Sequence, residues 1–248
     1  MPHSPAISIA AASHRGAVRA SNEDAAGAAG WIVADGGAVA TAGPVHAPVT
    51  VVVADGAGGH PAGDVASRLA VAHLMAPARP VDTADDLADL VRSAHVALHE
   101  RMRRDPPTLG MATTVAALVV TAHSVLIAHV GDSRIYEVED GGVTLLTDDD
   151  RVSADGSALT QALGGPSPER EPAPHLWRLA CEPGLRFLLC SDGVPACVTD
   201  ATLSTLAAAH PGDAALVAGI VEAALAAGAP DNVTVLVARV DGGVSELG

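Results

Sequence analysis

Lysine is absent from these 248 residues: all fourteen basic side chains are arginines, set against 29 acids, for a formal net charge of −15. With no basic run anywhere, that balance argues against nucleic acid or an anionic membrane as the main partner. Aromatic residues make up only 2 % of a chain that is 49 % apolar, so its core must be built from Ala, Val and Leu. Cysteine is also scarce: Cys181, Cys190 and Cys197 are odd in number and form no C-x-x-C pair. That argues against a disulfide framework or a structural zinc site, and the three read as reduced packing residues. No stretch reaches the roughly 18 apolar residues of a membrane span. The start, MPHSPAIS, has neither a positive leader nor an apolar segment, so a cytoplasmic protein without signal or anchor is expected.

The length fits one domain, expected over residues 6–240 between short tails at 1–5 and 241–248. Ile7–Ser13, Trp31–Val33 and Val49–Ala54 read as strands, the last two joined by a Gly/Ala/Pro-rich hairpin loop. Arg15 to Asp24 reads as a turn. A helix begins near Ala62, with Val65, Leu69, Ala72 and Met75 on its apolar face, and a second runs from Ala84 to Arg104 behind a Thr83/Asp86 capping box. His95 and His99 lie four apart on that helix, but without a third ligand they read as a partly exposed flank. From Met111 strands dominate: Ala112–Thr121, Ser124–Val130, Arg134–Val138, Val143–Leu146, His175–Cys181 and Leu185–Ser191. Two helices, 201–209 and 214–227, precede a closing strand over Val233–Val240, with Asp213 and Gly228 as cap signals for the later helix. Strands in series with helices set apart predict an α+β layered domain.

The acids recur at one kind of place. Asp55 follows VVVA, Asp132 follows LIAHVG, Asp192 follows FLLCS, and Asp231-Asn232 precedes VTVLVARV. If those strands neighbour one another in two packed sheets, the carboxylates converge at one end, where like charges cannot all stay ionised unaided. Cations resolve the conflict. All-oxygen ligation selects Mg²⁺ or Mn²⁺, several carboxylates suit a pair of ions, and a paired centre favours phosphate-ester hydrolysis.

In order along the chain, GAVRASNED, VADGAGGHPAGDVAS, GMATTVAALVV, HVGDSRIY, LTQALGG, FLLCSDG and APDNVTVLVARV resemble the motifs of the metal-dependent protein phosphatases, the PPM family of type 2C serine/threonine phosphatases, in their bacterial form. The resemblance spans Ile7 to Val240. It implies a four-layer α/β/β/α sandwich with two central antiparallel sheets, and hydrolysis of phosphoserine and phosphothreonine in proteins with two Mn²⁺ or Mg²⁺ ions, by direct attack of a metal-activated water. It further implies phosphorylated protein substrates, made by a serine/threonine kinase, and a monomer.

By the same resemblance, Asp55 matches the carboxylate bridging both ions, Gly56 offers its carbonyl, and Asp192 and Asp231 match ligands of one ion. Glu23 matches the acid near the other, with Asp24 supporting it through water and Asn232 as a further supporting residue. Arg19 matches the arginine that grips the substrate phosphate, a role its planar fork of donors suits. Three departures stand out. Ala57 replaces a family histidine or methionine, and His60, three residues on, is assigned only to holding the Gly-rich turn. The flap segment before LTQALGG is short, reduced to DDDRVSADGSA. Ala196 stands where many members carry an aspartate for a third ion, leaving Asp132 as one half of a weak site; alternatively Asp132 is structural and pairs with Arg134. A catalytically weak partner-binding module and a hydrolase of small phosphoesters are the other readings to be weighed.

Overall fold

The structure of the protein, a computed structural model, describes residues 4–34, 36, 39–57, 62–153, 156 and 158–241. Two six-stranded sheets dominate it. One is ordered β10 (Gly142–Leu145), β9 (Arg134–Glu139), β13 (Arg186–Cys190), β14 (Val233–Val240), β1 (Ala6–His14) and β4 (Ala40–His46). The other is ordered β12 (His175–Ala180), β8 (Ser124–Val130), β7 (Val115–Val120), β5 (Val49–Asp55), β2 (Asp24–Ala28) and β3 (Trp31–Val33). Every pairing in them is antiparallel. A two-stranded piece, β6 (Ala112–Thr113) with β11 (Leu163–Gly164), lies beside the second sheet.

Strand alternation builds the layers. In β1, Ile7, Ile9 and Ala11 face the other sheet while Ala10 and Ala12 face outward; in β5, Val51 and Val53 face inward while Val52 and Ala54 face outward. Both faces of each sheet are covered, so a strand of small residues buries area twice, and each fully buried Val or Leu contributes about 1.5–3 kcal/mol. Helices α1 (Gly63–Met75) and α2 (Ala84–Arg104) cover the second sheet, and α3 (Asp200–Ala209) and α4 (Asp213–Ala226) cover the first. The result is the expected α/β/β/α sandwich. No helix is long and apolar enough to cross a membrane.

Several local expectations hold. Helix α2 has the expected bounds, its face of Leu87, Leu90, Val91, Ala94, Leu98 and Met102 is buried, and Thr83 and Asp86 exchange both hydrogen bonds of the capping box.

Others are corrected. The supposed turn ends in β2, whose Ala25, Ala26, Gly27 and Ala28 are all buried. Its small residues let α1 press close: a methyl on Gly27 would lie 2.4 Å from Val71 Cγ1. The supposed hairpin loop contains β4, an edge strand crossing to the first sheet, where Pro44 costs no central ladder bond. Helix α1 buries Ala66, Ser67, Ala70, Val71 and Leu74, one residue round from the predicted stripe, because packing against β2 favours the small residues. His95 and His99 are buried, not flanking: their rings meet edge to face at 4.5 Å, and His95 Nδ1 accepts the Gly164 N–H at 3.1 Å.

Asp213 does not cap α4, whose N-cap is Gly212. Its carboxylate instead receives Arg186 Nε at 2.8 Å and an Arg239 guanidinium nitrogen at 2.7 Å, and both Arg186 and Asp213 are largely buried. Gly228 follows the C-cap Ala227 with φ of 99°, as a helix-ending glycine should. Removing the acid strands a buried guanidinium, so Asp213→Ala is expected to cost about 3–5 kcal/mol in urea unfolding. Asp89→Ala, which breaks only the exposed pair with Arg92, should cost under about 1 kcal/mol.

Candidate metal centre

The carboxylates gather at one end of the sandwich because their strands end there together. Asp55 closes β5, and Asp24 opens β2 directly opposite it in the antiparallel register, on the same face of the sheet. Asp132 lies two residues past β8, Asp192 two past β13, and Asp231 two before β14. With Glu23, Asp55, Asp132, Asp192 and Asp231 line a cleft of about 810 Å³.

The backbone around them is fixed. Asp55 N–H donates to Thr114 Oγ1 at 3.0 Å, and its carbonyl accepts from Thr113 Oγ1 and Thr114 N–H, both at 2.9 Å. Gly56 N–H donates to the Glu23 carbonyl at 3.1 Å. Asn232 holds the loop that carries Arg19 and Glu23: its Nδ2 donates to the carbonyls of Arg15 and Ser21, and its Oδ1 accepts the Glu23 N–H at 2.9 Å. Next to Asp192, a methyl on Gly193 would lie 1.9 Å from the Asn232 carbonyl oxygen, so only glycine lets the two acid-bearing loops touch. His60 lies outside the described residues.

Electrostatics show the strain of this convergence. Burial first, and then the charges of Asp192 and Asp231, push Asp24 up to about 7 despite a 2.7 Å hydrogen bond from Ser191; its Oδ1 is buried without a partner. Asp55 is held well above the usual carboxylate range by burial and by Asp24, Asp192, Asp132 and Asp231. Asp192 rises to about 6, through burial and then Asp132 and Asp231. Burial also raises Glu23, partly offset by Arg19.

Two arginines form ion pairs with these acids. Arg19 donates to Asp231 Oδ2 at 2.6 Å from a half-exposed position at the rim. Arg151 reaches in from the short segment after β10, with Nε 2.8 Å from Asp132 Oδ2 and a second nitrogen 3.3 Å from Asp192 Oδ2. This corrects the expected Asp132–Arg134 pair: Arg134 makes a two-bond contact with Asp149, at 2.9 and 2.8 Å. Ala196 is exposed and offers no ligand. Arg151, Thr114 and Ser191 are the contributors that sequence reasoning missed. The one signal for Arg151 was a lone basic residue ending the acidic run 148–150.

The gathered carboxylates outnumber the guanidiniums paired with them and leave a net negative pocket of oxygen donors, which fits hard divalent cations.

A family model described as Protein phosphatase 2C matches residues 20–211. The serine/threonine protein phosphatase PstP of Mycobacterium tuberculosis is 35 % identical over 94 % of this chain, which spans only 45 % of that protein's length. The protein phosphatase PhpP of Streptococcus pneumoniae is 28 % identical over 75 % of this chain and 83 % of its own length. Among solved structures, the catalytic domain of PstP in complex with two manganese ions superposes with a TM-score of 0.75 at 33 % identity, covering 96 % of this chain and all of that one. The sandwich and the family match coincide, and the chain belongs to the protein phosphatase 2C family.

Proposed function

We propose that this chain is a metal-dependent protein serine/threonine phosphatase that hydrolyses phosphoserine and phosphothreonine using two Mn²⁺ or Mg²⁺ ions. The observation that carries this reading is the convergence of Glu23, Asp55, Asp192 and Asp231 in one cleft with Arg19 at its rim. PstP, with its manganese-bound catalytic domain, supports it.

Asp55, which feels the charges of Asp24, Asp132, Asp192 and Asp231, would be the ligand shared between two ions, with the Gly56 carbonyl beside it; Asp192 and Asp231 would serve one ion and Glu23 the other. On binding, the ions supply a lowered pKa for the attacking water and neutralise charge building on the phosphoryl oxygens. The chain's own part is positional. Thr113 and Thr114 hold Asp55 against movement, Asn232 ties the Arg19 loop to the Asp231 loop, and Arg19 presents a planar fork to two phosphate oxygens. Asp24, buried beneath the centre, accepts from Ser191 and has one oxygen free to meet a water of the ion shell. Substrates are phosphorylated proteins, and the kinase that made them defines the partner reaction.

A third ion would be held weakly at most: Asp132 is the one carboxylate for it, and the position that would complete such a site is Ala196.

Asp55→Asn or Asp192→Asn should remove most Mn²⁺-dependent release of phosphate from a phosphothreonine peptide, and Asp55→Asn with near-unmodified turnover would contradict the shared-ligand role. An aryl phosphate assayed beside the peptide separates readings: turnover of the aryl phosphate alone indicates a small-phosphoester hydrolase, and turnover of neither a binding module. Arg19→Ala should raise KM for the peptide about tenfold or more, with Arg19→Lys recovering only part of the loss; an unchanged KM would refute phosphate capture. In calorimetric titration, Asp132→Asn should leave the number of tightly bound Mn²⁺ ions unchanged, and loss of a tight ion would restore a third-ion role to Asp132.

A further inference from the structure

A second cluster of ligating side chains lies beside the acidic cleft and contains none of its proposed ligands. His129 on β8 and His175 on β12 are direct cross-strand partners, so their side chains share a face of the sheet. Asp150, from the segment after β10, closes over that face. Its N–H donates to the Gly131 carbonyl at 2.7 Å, and its Oδ2 accepts the Gly131 N–H and Gln161 Nε2, each at 2.8 Å. That leaves Oδ1 directed at His175 Nε2, 2.9 Å away.

His129 is the anomaly. It is fully buried, and neither ring nitrogen has a hydrogen-bond partner; the Ser133 backbone lies beside the ring but outside bonding geometry. A buried imidazole with both nitrogens unmet is costly, and native structures rarely leave such a group without a water or an ion. Here one potential ligand atom from each of His129, Asp150 and His175 lies within 4.8 Å of the other two.

We propose that His129, Asp150 and His175 form a separate metal site for a borderline transition-metal ion, with Zn²⁺ the best fit. Two imidazoles and one carboxylate are a donor set for such ions, whereas the all-oxygen cleft nearby selects Mg²⁺ or Mn²⁺. Bonds of about 2.0–2.1 Å in a tetrahedron require donors roughly 3.4 Å apart. The close Asp150–His175 pair must open slightly and the wider separation close, which the half-exposed His175 side chain is free to allow. Its solvent side provides the entry path and a fourth position for water. The Gly131 and Gln161 bonds to the other Asp150 oxygen are the outer support that a ligating carboxylate needs.

The site would have a mechanical consequence. Asp150 precedes Arg151, whose guanidinium spans Asp132 and Asp192. An ion joining Asp150 to β8 and β12 pins that segment and sets where Arg151 stands over the acids. The assignment does not depend on the phosphatase reading, since it uses none of the residues given to catalysis.

The test uses the full chain, stripped of metal and then saturated with Mg²⁺ to fill the oxygen-lined centre. Zn²⁺ titration should show one tightly bound equivalent, weakened at least about 100-fold by His175→Ala and by Asp150→Asn. Co²⁺ in place of Zn²⁺ should give the intense visible absorption of a four-coordinate ion, absent in His175→Ala. His175 lies half-exposed on an edge strand, so that variant should retain the far-UV spectrum of the unmodified chain. No Zn²⁺ equivalent beyond the Mg²⁺-filled centre, or a Zn²⁺ affinity and Co²⁺ spectrum unaltered by His175→Ala, would overturn the proposal.

Discussion

Repulsion among buried carboxylates is the constraint around which this fold is arranged. Asp24, Asp55, Asp132 and Asp192 are drawn from four strands of two sheets; burial holds each above the normal carboxylate range, and in Asp24, Asp55 and Asp192 the neighbouring acids add to it. A sequence selected for stability alone would not place them so. The surrounding structure must hold them together against their own field, and it does so with backbone geometry: paired strand ends, threonine hydroxyls on Asp55, and the asparagine that ties the Arg15–Ser21 loop to β14. Strain of this kind is concentrated where function requires it.

The rest of the molecule is quiet by comparison. Three apolar layers, two under helices and one between the sheets, are filled almost entirely by Val, Ala, Leu and Ile. With so few aromatics, close approach replaces bulk, as where α1 sits on Gly27. Buried charge away from the cleft is compensated locally, as in the Arg186–Asp213–Arg239 cluster. The acidic end is the exception, and the two arginines that reach it neutralise only part of its charge.

How much of this was legible depended on whether the signal was local. Helix α2 carries its own cap and its own apolar stripe, so its bounds could be read directly. Asp55, Asp192 and Asp231 each lie within two residues of a largely apolar run, which marks a strand end without any tertiary knowledge. Strand β2 could not be read: Asp-Ala-Ala-Gly-Ala has no β-branched residue and no alternation, and only burial on both faces makes it a strand. His95 and His99 were misplaced for the same reason, since the β11 backbone that covers them arrives from Gly164. Arg151 is 19 residues from Asp132 and 41 from Asp192, and no pattern in the run DDDR announces contact with either.

The central claim, that the acidic end is destabilising until cations fill it, is tested most directly by the stability of Asp55→Asn against the unmodified chain. A carboxyl whose folded pKa lies above its unfolded value takes up protons on folding. Its contribution therefore falls as pH rises from about 4 through the folded value. In chelator at pH 8 the variant should melt several degrees higher than the unmodified chain, the gap should narrow toward pH 5.5, and saturating Mn²⁺ should reverse the order. An Asp55→Asn protein less stable than the unmodified chain in chelator at pH 8 would contradict the account.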